Sequence, residues 1–156
     1  MAADAETPLP RLLQLDTPQA TVGLAEYLAP LLQAGDIICL YGELGSGKTF
    51  FAAALGRALG VPEDLDSPSF VLLKEYQAAR FPLYHLDLYR LHSPSELLDL
   101  GLFDFLESGV TLIEWPRLAL SLIPGRLLQL DLKFSFDGRR RQVEILARGR
   151  WAAYFV

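Results

Sequence analysis

A glycine-rich loop that ends in a lysine and a threonine carries the strongest chemical signal in the sequence. Residues 42–49 read Gly-Glu-Leu-Gly-Ser-Gly-Lys-Thr and match the pattern G-x-x-x-x-G-K-[ST] in full. Its glycines allow the backbone to bend so that successive N–H groups face an anion. Lys48 suits the β- and γ-phosphates of a nucleotide, and the Thr49 hydroxyl suits Mg²⁺. The predicted nucleotide-binding residues are Gly42, Gly45, Ser46, Gly47, Lys48 and Thr49.

Two carboxylates further along the chain could complete such a site. Around residue 86, His85, Asp87 and Tyr89 share one face of a predicted strand. Asp87 could hold Mg²⁺ or orient an attacking water, with Arg90 close behind it. These residues alone also fit a surface Asp–Arg pair and a structural histidine.

Glu114 follows a buried strand at residues 110–113. An acid directly after such a strand is typical of the Walker B arrangement, which places a carboxylate beside the metal of a phosphate-binding loop. We therefore predict Asp87 and Glu114 as catalytic residues and Thr49 and Glu114 as metal ligands, with ATP and Mg²⁺ as cofactors.

The elements next to the loop are those that the motif requires. Residues 36–41 form a short apolar run that predicts a buried strand. Residues 50–59 predict a helix that Gly60 and Pro62 end. Strand, glycine loop and helix together support nucleotide binding.

The remaining pattern predicts an α/β fold. Thr17 and Pro18 begin a helix that extends to Gly35. Strands at residues 71–76 and 81–88 form a hairpin, and Ser93 to Glu96 is a capping box at the start of a short helix. A second hairpin joins the alternating strand 128–136 through Asp137-Gly138 to a strand that ends near Ala147. We expect one domain over residues 1–156, with 1–10 as a tail, built as a three-layer P-loop sandwich around a central mixed β-sheet.

Four motifs together resemble one protein family. They are residues 42–49, Ser-Pro-Ser-Phe at 67–70, His-Leu-Asp-Leu-Tyr-Arg-Leu at 85–91 and Ile-Glu-Trp-Pro at 113–116. In this order and spacing they resemble the TsaE (YjeE) family, small bacterial ATPases needed for N6-threonylcarbamoyladenosine synthesis at position 37 of tRNAs that read ANN codons.

The resemblance implies roles for individual residues. Asp87 matches the essential aspartate of the family, Glu114 its Walker B acid and Trp115 the tryptophan beside that acid. Ser69 lies in the switch-like segment near the γ-phosphate, where the family usually has threonine. Gln19 begins the stretch 19–21 that falls where the family approaches adenine.

The resemblance also implies partners. The family works with TsaB and TsaD, which transfer the threonylcarbamoyl group to tRNA, so this chain would meet tRNA only indirectly. Separately, phosphoryl transfer to water is accelerated by an arginine at the γ-phosphate, and only Arg90 is an obvious candidate in this chain. We therefore expect slow ATP hydrolysis by the isolated protein and a site that is completed on the partners.

The charge and composition of the chain argue against several classes of function. The chain has 156 residues and a net charge of −5, which argues against tight nucleic-acid binding by the whole surface. Of the basic run Arg139 to Arg141, two residues are expected in solvent. No apolar run approaches the 18 residues or more of a membrane span, so we expect a cytoplasmic protein with no membrane contact. Cys39 is expected to be a buried, inert thiol.

Other functions stay open. Guanine-specific P-loop proteins carry an Asn/Thr-Lys-x-Asp motif, but this chain has no asparagine and none of its three lysines follows a threonine. The alternatives are a small-molecule P-loop kinase and an ATP-gated interaction module with negligible turnover. A direct tRNA-binding protein is disfavoured by the acidic charge balance.

Overall fold

A computed structural model describes residues 10–68, 71–124, 127–135 and 137–155. Seven strands form one sheet in the order β1-β7-β6-β2-β5-β4-β3. The strands are β1 Arg11–Leu15, β2 Ile37–Tyr41, β3 Leu73–Gln77, β4 Pro82–Asp87, β5 Val110–Glu114, β6 Leu127–Phe134 and β7 Arg141–Ala147. The α-helices are α1 Pro18–Leu28, α2 Lys48–Ala58, α3 Pro94–Asp99 and α4 Leu102–Phe105, with 3₁₀ turns at Ala29–Leu31, Pro116–Ala119 and Gly149–Tyr154.

The centre of the sheet is parallel and its edges are antiparallel. Strands β4, β5, β2 and β6 run in the same direction, whereas β3, β7 and β1 pair antiparallel with their neighbours. Every residue of β5 is buried, as expected for a parallel strand covered on both faces. The predicted mixed sheet and both predicted hairpins are confirmed. Because β4, β5, β2 and β6 are parallel, their carboxyl ends meet at one edge of the sheet.

Helices cover both faces of the sheet. Ile38 and Leu40 pack against residues of α1 and α2, while Ile37 and Cys39 point to the opposite face and pack against residues of α3 and α4. The alternation follows from the two-residue period of a strand. The predicted three-layer arrangement is confirmed, and the residues of α2 lie on the same side as α1.

The first helix ends earlier than the sequence predicts. The Thr17 side chain accepts a hydrogen bond from the Ala20 N–H at 3.2 Å, which confirms the predicted N-terminus. The prediction that the helix extends to Gly35 was wrong, because α1 ends at Leu28. Pro30 has no N–H to donate to the preceding turn, and the chain continues as a 3₁₀ turn.

Two other local predictions need correction. Strand β1 was not predicted; it pairs with β7 at the edge of the sheet. The capping box predicted at Ser93 is not formed. Glu96 accepts a hydrogen bond at 2.9 Å from the N–H of His92, one residue before the N-cap. The Ser93 hydroxyl bonds to Ser95 at 2.9 Å and not to the helix backbone. Among the described residues, none of the helices is long and apolar enough to cross a membrane.

Candidate functional site

The glycine loop joins the end of β2 to the start of α2. At Gly42, where φ is +141°, a Cβ atom would lie 2.3 Å from the Ser46 hydroxyl oxygen and 2.7 Å from the Leu132 carbonyl oxygen. Gly47, with φ +108°, is the N-cap of α2. Any side chain at position 42 would collide with the loop, and position 47 needs a left-handed backbone. The predicted strand, loop and helix are confirmed.

Lys48 is held against the loop. Its side chain is mostly buried, and the residue is 6% exposed. Its Nζ donates to the carbonyl oxygen of Glu43 at 3.1 Å and to that of Gly42. Nζ also lies 4.2 Å from the centre of the Trp115 ring. Burial lowers the pKa of Lys48, and the nearby carboxylates of Glu114 and other acids oppose that shift.

The two predicted carboxylates lie side by side at the edge of the sheet. Asp87 ends β4 and Glu114 ends β5, and they are register partners on these parallel strands. They are 5% and 2% exposed. Asp87 accepts hydrogen bonds from the Ser67 hydroxyl at 3.2 Å and from the Tyr89 N–H at 3.0 Å. Both acids are therefore buried and oriented by neighbouring groups.

A cavity of about 340 Å³, here called the loop cavity, brings these groups together. The predicted residues that line it are Gly45, Gly47, Lys48, Thr49, Asp87 and Glu114. A nest of N–H groups at a helix N-terminus, with a lysine, is suited to phosphate oxygens. A hydroxyl and two carboxylates supply the oxygen ligands that Mg²⁺ prefers, usually one or two from the protein with the rest from phosphate and water.

Trp115 adopts a strained backbone at the wall of the loop cavity. Its φ and ψ are 55° and 58°, in the left-handed region that a bulky side chain rarely enters. Its N–H donates to the Leu40 carbonyl oxygen at 3.3 Å, and its ring lies 4.9 Å from that of Tyr89. Such strain costs about 1–3 kcal/mol and concentrates at functional sites. Here it turns the chain so that the indole ring lies over Lys48.

Arg141 belongs to the site although the sequence analysis did not single it out. A Cβ atom on Gly47 would lie 3.6 Å from its guanidinium, which lines the loop cavity. Arg139 and Arg140 are exposed, as predicted. The signal that was overlooked is the two-residue period of β7, which puts Arg141 on the same face as the buried Val143 and Ile145.

Arg141 also separates the loop cavity from a neighbour of about 200 Å³, here called the side cavity. Thr17, Pro18 and Thr21 line this side cavity together with the tip of the β6–β7 hairpin. Gln19, in the same stretch, is exposed on the first turn of α1. The structure thus brings the neighbours of Gln19 to the side cavity, while the Gln19 side chain faces solvent.

Two further residues of the sequence analysis lie apart from the loop cavity. Ser69 lies outside the described residues. Arg90, considered there as a partner of Asp87, is exposed in the turn after β4 and does not line the loop cavity. Of the arginines in the described ranges, Arg141 is the one that does.

Comparison with known proteins finds a matching family, similar sequences and a similar structure. The sequence pattern of the family described as "Threonylcarbamoyl adenosine biosynthesis protein TsaE" matches residues 15–143. A tRNA threonylcarbamoyladenosine biosynthesis protein TsaE from Rickettsia bellii is 39% identical over 127 residues, covering 81% of this chain and 88% of that protein. The protein of the same name from Bacillus subtilis is 38% identical over 124 residues, covering 79% and 77%. The crystal structure of YdiB from Bacillus subtilis superposes with a TM-score of 0.76 at 30% identity and covers 94% of this chain and 93% of that one.

Proposed function

The chain belongs to the TsaE family of threonylcarbamoyl adenosine biosynthesis proteins, and on that premise we propose that it is a Mg²⁺-dependent ATPase that acts with TsaB and TsaD. Its hydrolysis of ATP would support threonylcarbamoyl modification of adenosine 37 in tRNA in the cytoplasm. One observation carries the proposal. The glycine loop and two buried strand-end carboxylates line the same cavity.

The proposed binding mode places the triphosphate in the loop cavity. The N–H groups of the loop and the start of α2 bind the phosphates, since a helix N-terminus favours anions. Lys48 exchanges its contacts with the carbonyl oxygens of Gly42 and Glu43 for contacts with the β- and γ-phosphates. The base extends past Arg141 into the side cavity, since Arg141 lines both cavities.

Mg²⁺ fits between the phosphates and the strand ends. The Thr49 hydroxyl and the Glu114 carboxylate would hold it there, directly or through water, and the ion would neutralise charge on the phosphates. Asp87 adjoins Glu114 in the sheet and is fixed by Ser67 and Tyr89. We assign Asp87 to orient the attacking water.

Arg141 is poorly placed to act on the γ-phosphate. The sheet order puts β7 on one side of β2 and the acid-bearing strands β4 and β5 on the other, so Arg141 and the two acids flank the loop from opposite sides. An arginine at the γ-phosphate contributes about 10³–10⁵ in rate to such reactions. We therefore propose that the isolated protein turns over slowly and that docking on TsaB and TsaD completes the site.

The test measures binding and hydrolysis separately. Lys48→Ala should abolish tight ATP binding in a calorimetric titration, whereas Lys133→Ala, a surface lysine paired with Glu144, should not. Asp87→Ala should bind ATP and lose single-turnover hydrolysis, measured with and without TsaB and TsaD. Undiminished ATP affinity in Lys48→Ala would refute the assignment of the loop. Negligible single turnover by the wild-type protein even with the partners would favour an ATP-gated module instead.

Phosphoryl transfer to a small molecule is the second candidate function, and a larger cavity favours it. This end cavity, of about 860 Å³, lies at the carboxyl ends of β2, β5 and β6 beside the glycine loop. Tyr41, Trp115, Asp131 and Phe134 line it. Ligands of α/β sheets bind at such strand ends. Screening nucleosides and small metabolites for ATP-dependent phosphorylation distinguishes the two functions.

A further inference from the structure

A buried histidine–glutamate pair lies beside the loop cavity. His85 Nε2 is 2.8 Å from Glu114 Oε2, and the two side chains are 0% and 3% exposed. The two residues are 29 positions apart in the chain and meet across β4 and β5. We propose that His85 is a positioning residue that fixes the Glu114 carboxylate for the metal ion, an inference that rests on the proposed ATPase function.

The register of the two strands explains the contact. Asp87 is opposite Glu114, and His85 is opposite Leu112, two residues before the end of β5. Residues two apart on a strand share a face, so His85 lies on the same face as both acids but one step deeper in the sheet. Glu114 lines the loop cavity and His85 does not. The histidine therefore binds one carboxylate oxygen from the protein interior and leaves Oε1 for the cavity.

The hydrogen-bonding of the ring defines what it supplies. Within the described ranges, Nδ1 of His85 is buried without a hydrogen-bond partner. A carboxylate accepts hydrogen bonds, so in this contact Nε2 carries the proton and donates it to Glu114 Oε2. This is the one hydrogen bond of the ring within the described ranges. His85 thus orients the carboxylate through a single donor.

Groups that orient a ligand of a metal typically contribute about 10–100-fold to metal affinity or activity. Loss of the His85 donor leaves Glu114 Oε2 without this buried partner, and the carboxylate is then free to take other rotamers. Binding of the metal to the nucleotide complex should weaken. Binding of the nucleotide without metal should not change, because His85 does not line the loop cavity.

The experiment compares three substitutions in the full chain. His85→Leu removes the donor, and His85→Gln keeps an N–H donor at about the position of Nε2. Thr111→Val is the control, because Thr111 is a buried residue of β5 whose hydroxyl has no hydrogen-bond partner in the described part of the chain. Mn²⁺ binding to the ADP complex is measured by electron paramagnetic resonance, ADP binding in EDTA by calorimetry, and unfolding with urea.

His85→Leu should lower the Mn²⁺ affinity of the ADP complex by about 10–100-fold. Its ADP affinity in EDTA should stay at the wild-type value, and His85→Gln and Thr111→Val should keep the Mn²⁺ affinity. If His85→Leu does not fold, the test depends on His85→Gln. A folded Gln variant with wild-type Mn²⁺ affinity supports the proposal. A folded Gln variant that has lost its Mn²⁺ affinity overturns the donor role of His85. Wild-type Mn²⁺ affinity in folded His85→Leu would overturn the proposal alone. Failure of the wild-type protein to bind Mn²⁺ and ADP together would overturn the proposed function as well.

Discussion

Two buried acids at opposite ends of the central strands differ in how their charges are compensated. Asp36 precedes β2 at its amino end, and Glu114 ends β5 at its carboxyl end; each is 2% exposed. Arg150 donates through Nε to Asp36 Oδ1 at 3.0 Å and forms an ion pair with Oδ2, which also accepts the Gln33 N–H at 2.7 Å. Glu114 has His85 as its hydrogen-bond partner instead, with Nε2 2.8 Å from Oε2.

The difference separates a structural charge from a functional one. A buried charge is costly unless it is paired and hydrogen-bonded, and Asp36 meets both conditions within its own chain. In the described part of the chain, neither arginine nor lysine forms an ion pair with Glu114, and Glu114 lines a cavity. We therefore propose that the Glu114 carboxylate serves a cation from outside the chain, whereas Asp36 serves the fold.

The largest expected effect is at the structural acid. Arg150→Ala should lower the free energy of unfolding by about 3 kcal/mol, the lower end of the 3–5 kcal/mol for breaking a buried pair. The lower end applies because the Arg150 side chain is 27% exposed. Urea unfolding measures it. The control is Arg57→Ala, which removes an exposed pair with Asp64 and should change the unfolding free energy by less than about 1 kcal/mol. Equal losses in both variants would contradict the structural role of Asp36.

The opposite result is expected at the functional acid. Glu114→Gln removes the buried charge and keeps the shape, so the unfolding free energy should stay the same or rise. Loss of a group that only orients a metal ligand lowers metal affinity by about 10–100-fold. Glu114 is the proposed ligand itself, so the Mn²⁺ affinity of the ADP complex should fall by at least that factor. Glu144→Gln is the matched control, because Glu144 is a partly exposed acid paired with Lys133. A strongly destabilised Glu114→Gln variant with unchanged Mn²⁺ affinity would show that Glu114 has a structural role and does not bind the metal.

A smaller effect is expected at the cation on the other side of the loop. Arg141→Ala should weaken ATP binding by about 10-fold, the low end for a hydrogen bond to a charged group, because the cavity is open to solvent. The loss should shrink at high salt, since exposed charges are screened. Calorimetric titration at two salt concentrations measures it, with Arg57→Ala as the control. An unchanged affinity would remove Arg141 from the site.

The smallest effect is expected at Cys39, a buried thiol that takes no part in the candidate site. Burial raises the pKa of Cys39, in the middle of β2, from 9.0 to about 12. The unfolded chain loses the thiol proton above pH 9 while the folded chain keeps it, so stability should fall as pH rises from 9 toward 12, by at most about 1.4 kcal/mol per pH unit. The difference in urea unfolding between wild type and Cys39→Ala at pH 9 and 10 isolates this contribution. A wild-type protein that loses no more stability than Cys39→Ala would contradict it.

Most of the local structure could be predicted from the sequence because its causes are local. The glycine pattern, the Thr17 cap and the alternation in β6 act over a few residues. The first two are confirmed, and the alternation is confirmed from Leu128 to Leu132, whereas Phe134 is exposed. The errors come from competition between local signals. Pro30 ends α1 before Gly35 because it removes a backbone donor. Strand β1 was missed because an edge strand depends on its neighbour β7 more than on its own residues.

The site was predicted in part for the same reason. Lys48, Thr49, Asp87 and Glu114 each follow from a motif or a strand end, and the structure brings them to one cavity. Arg141 was missed because its place depends on which face of β7 is buried. For His85 the sequence offered a place on the same strand face as Asp87 and a structural role, but no partner.

The sequence by itself determined the shape of the glycine loop and the presence of acids at the ends of strands, since both follow from residue types a few positions apart. The tertiary structure alone decided which groups meet. It places His85 below Glu114, Arg141 beside Gly47 and Arg150 on Asp36, 114 residues away in the chain. The physical reason is that strand order and register are fixed by packing of the whole sheet, and a one-residue change of register in β4 or β7 would turn His85 or Arg141 to the other face.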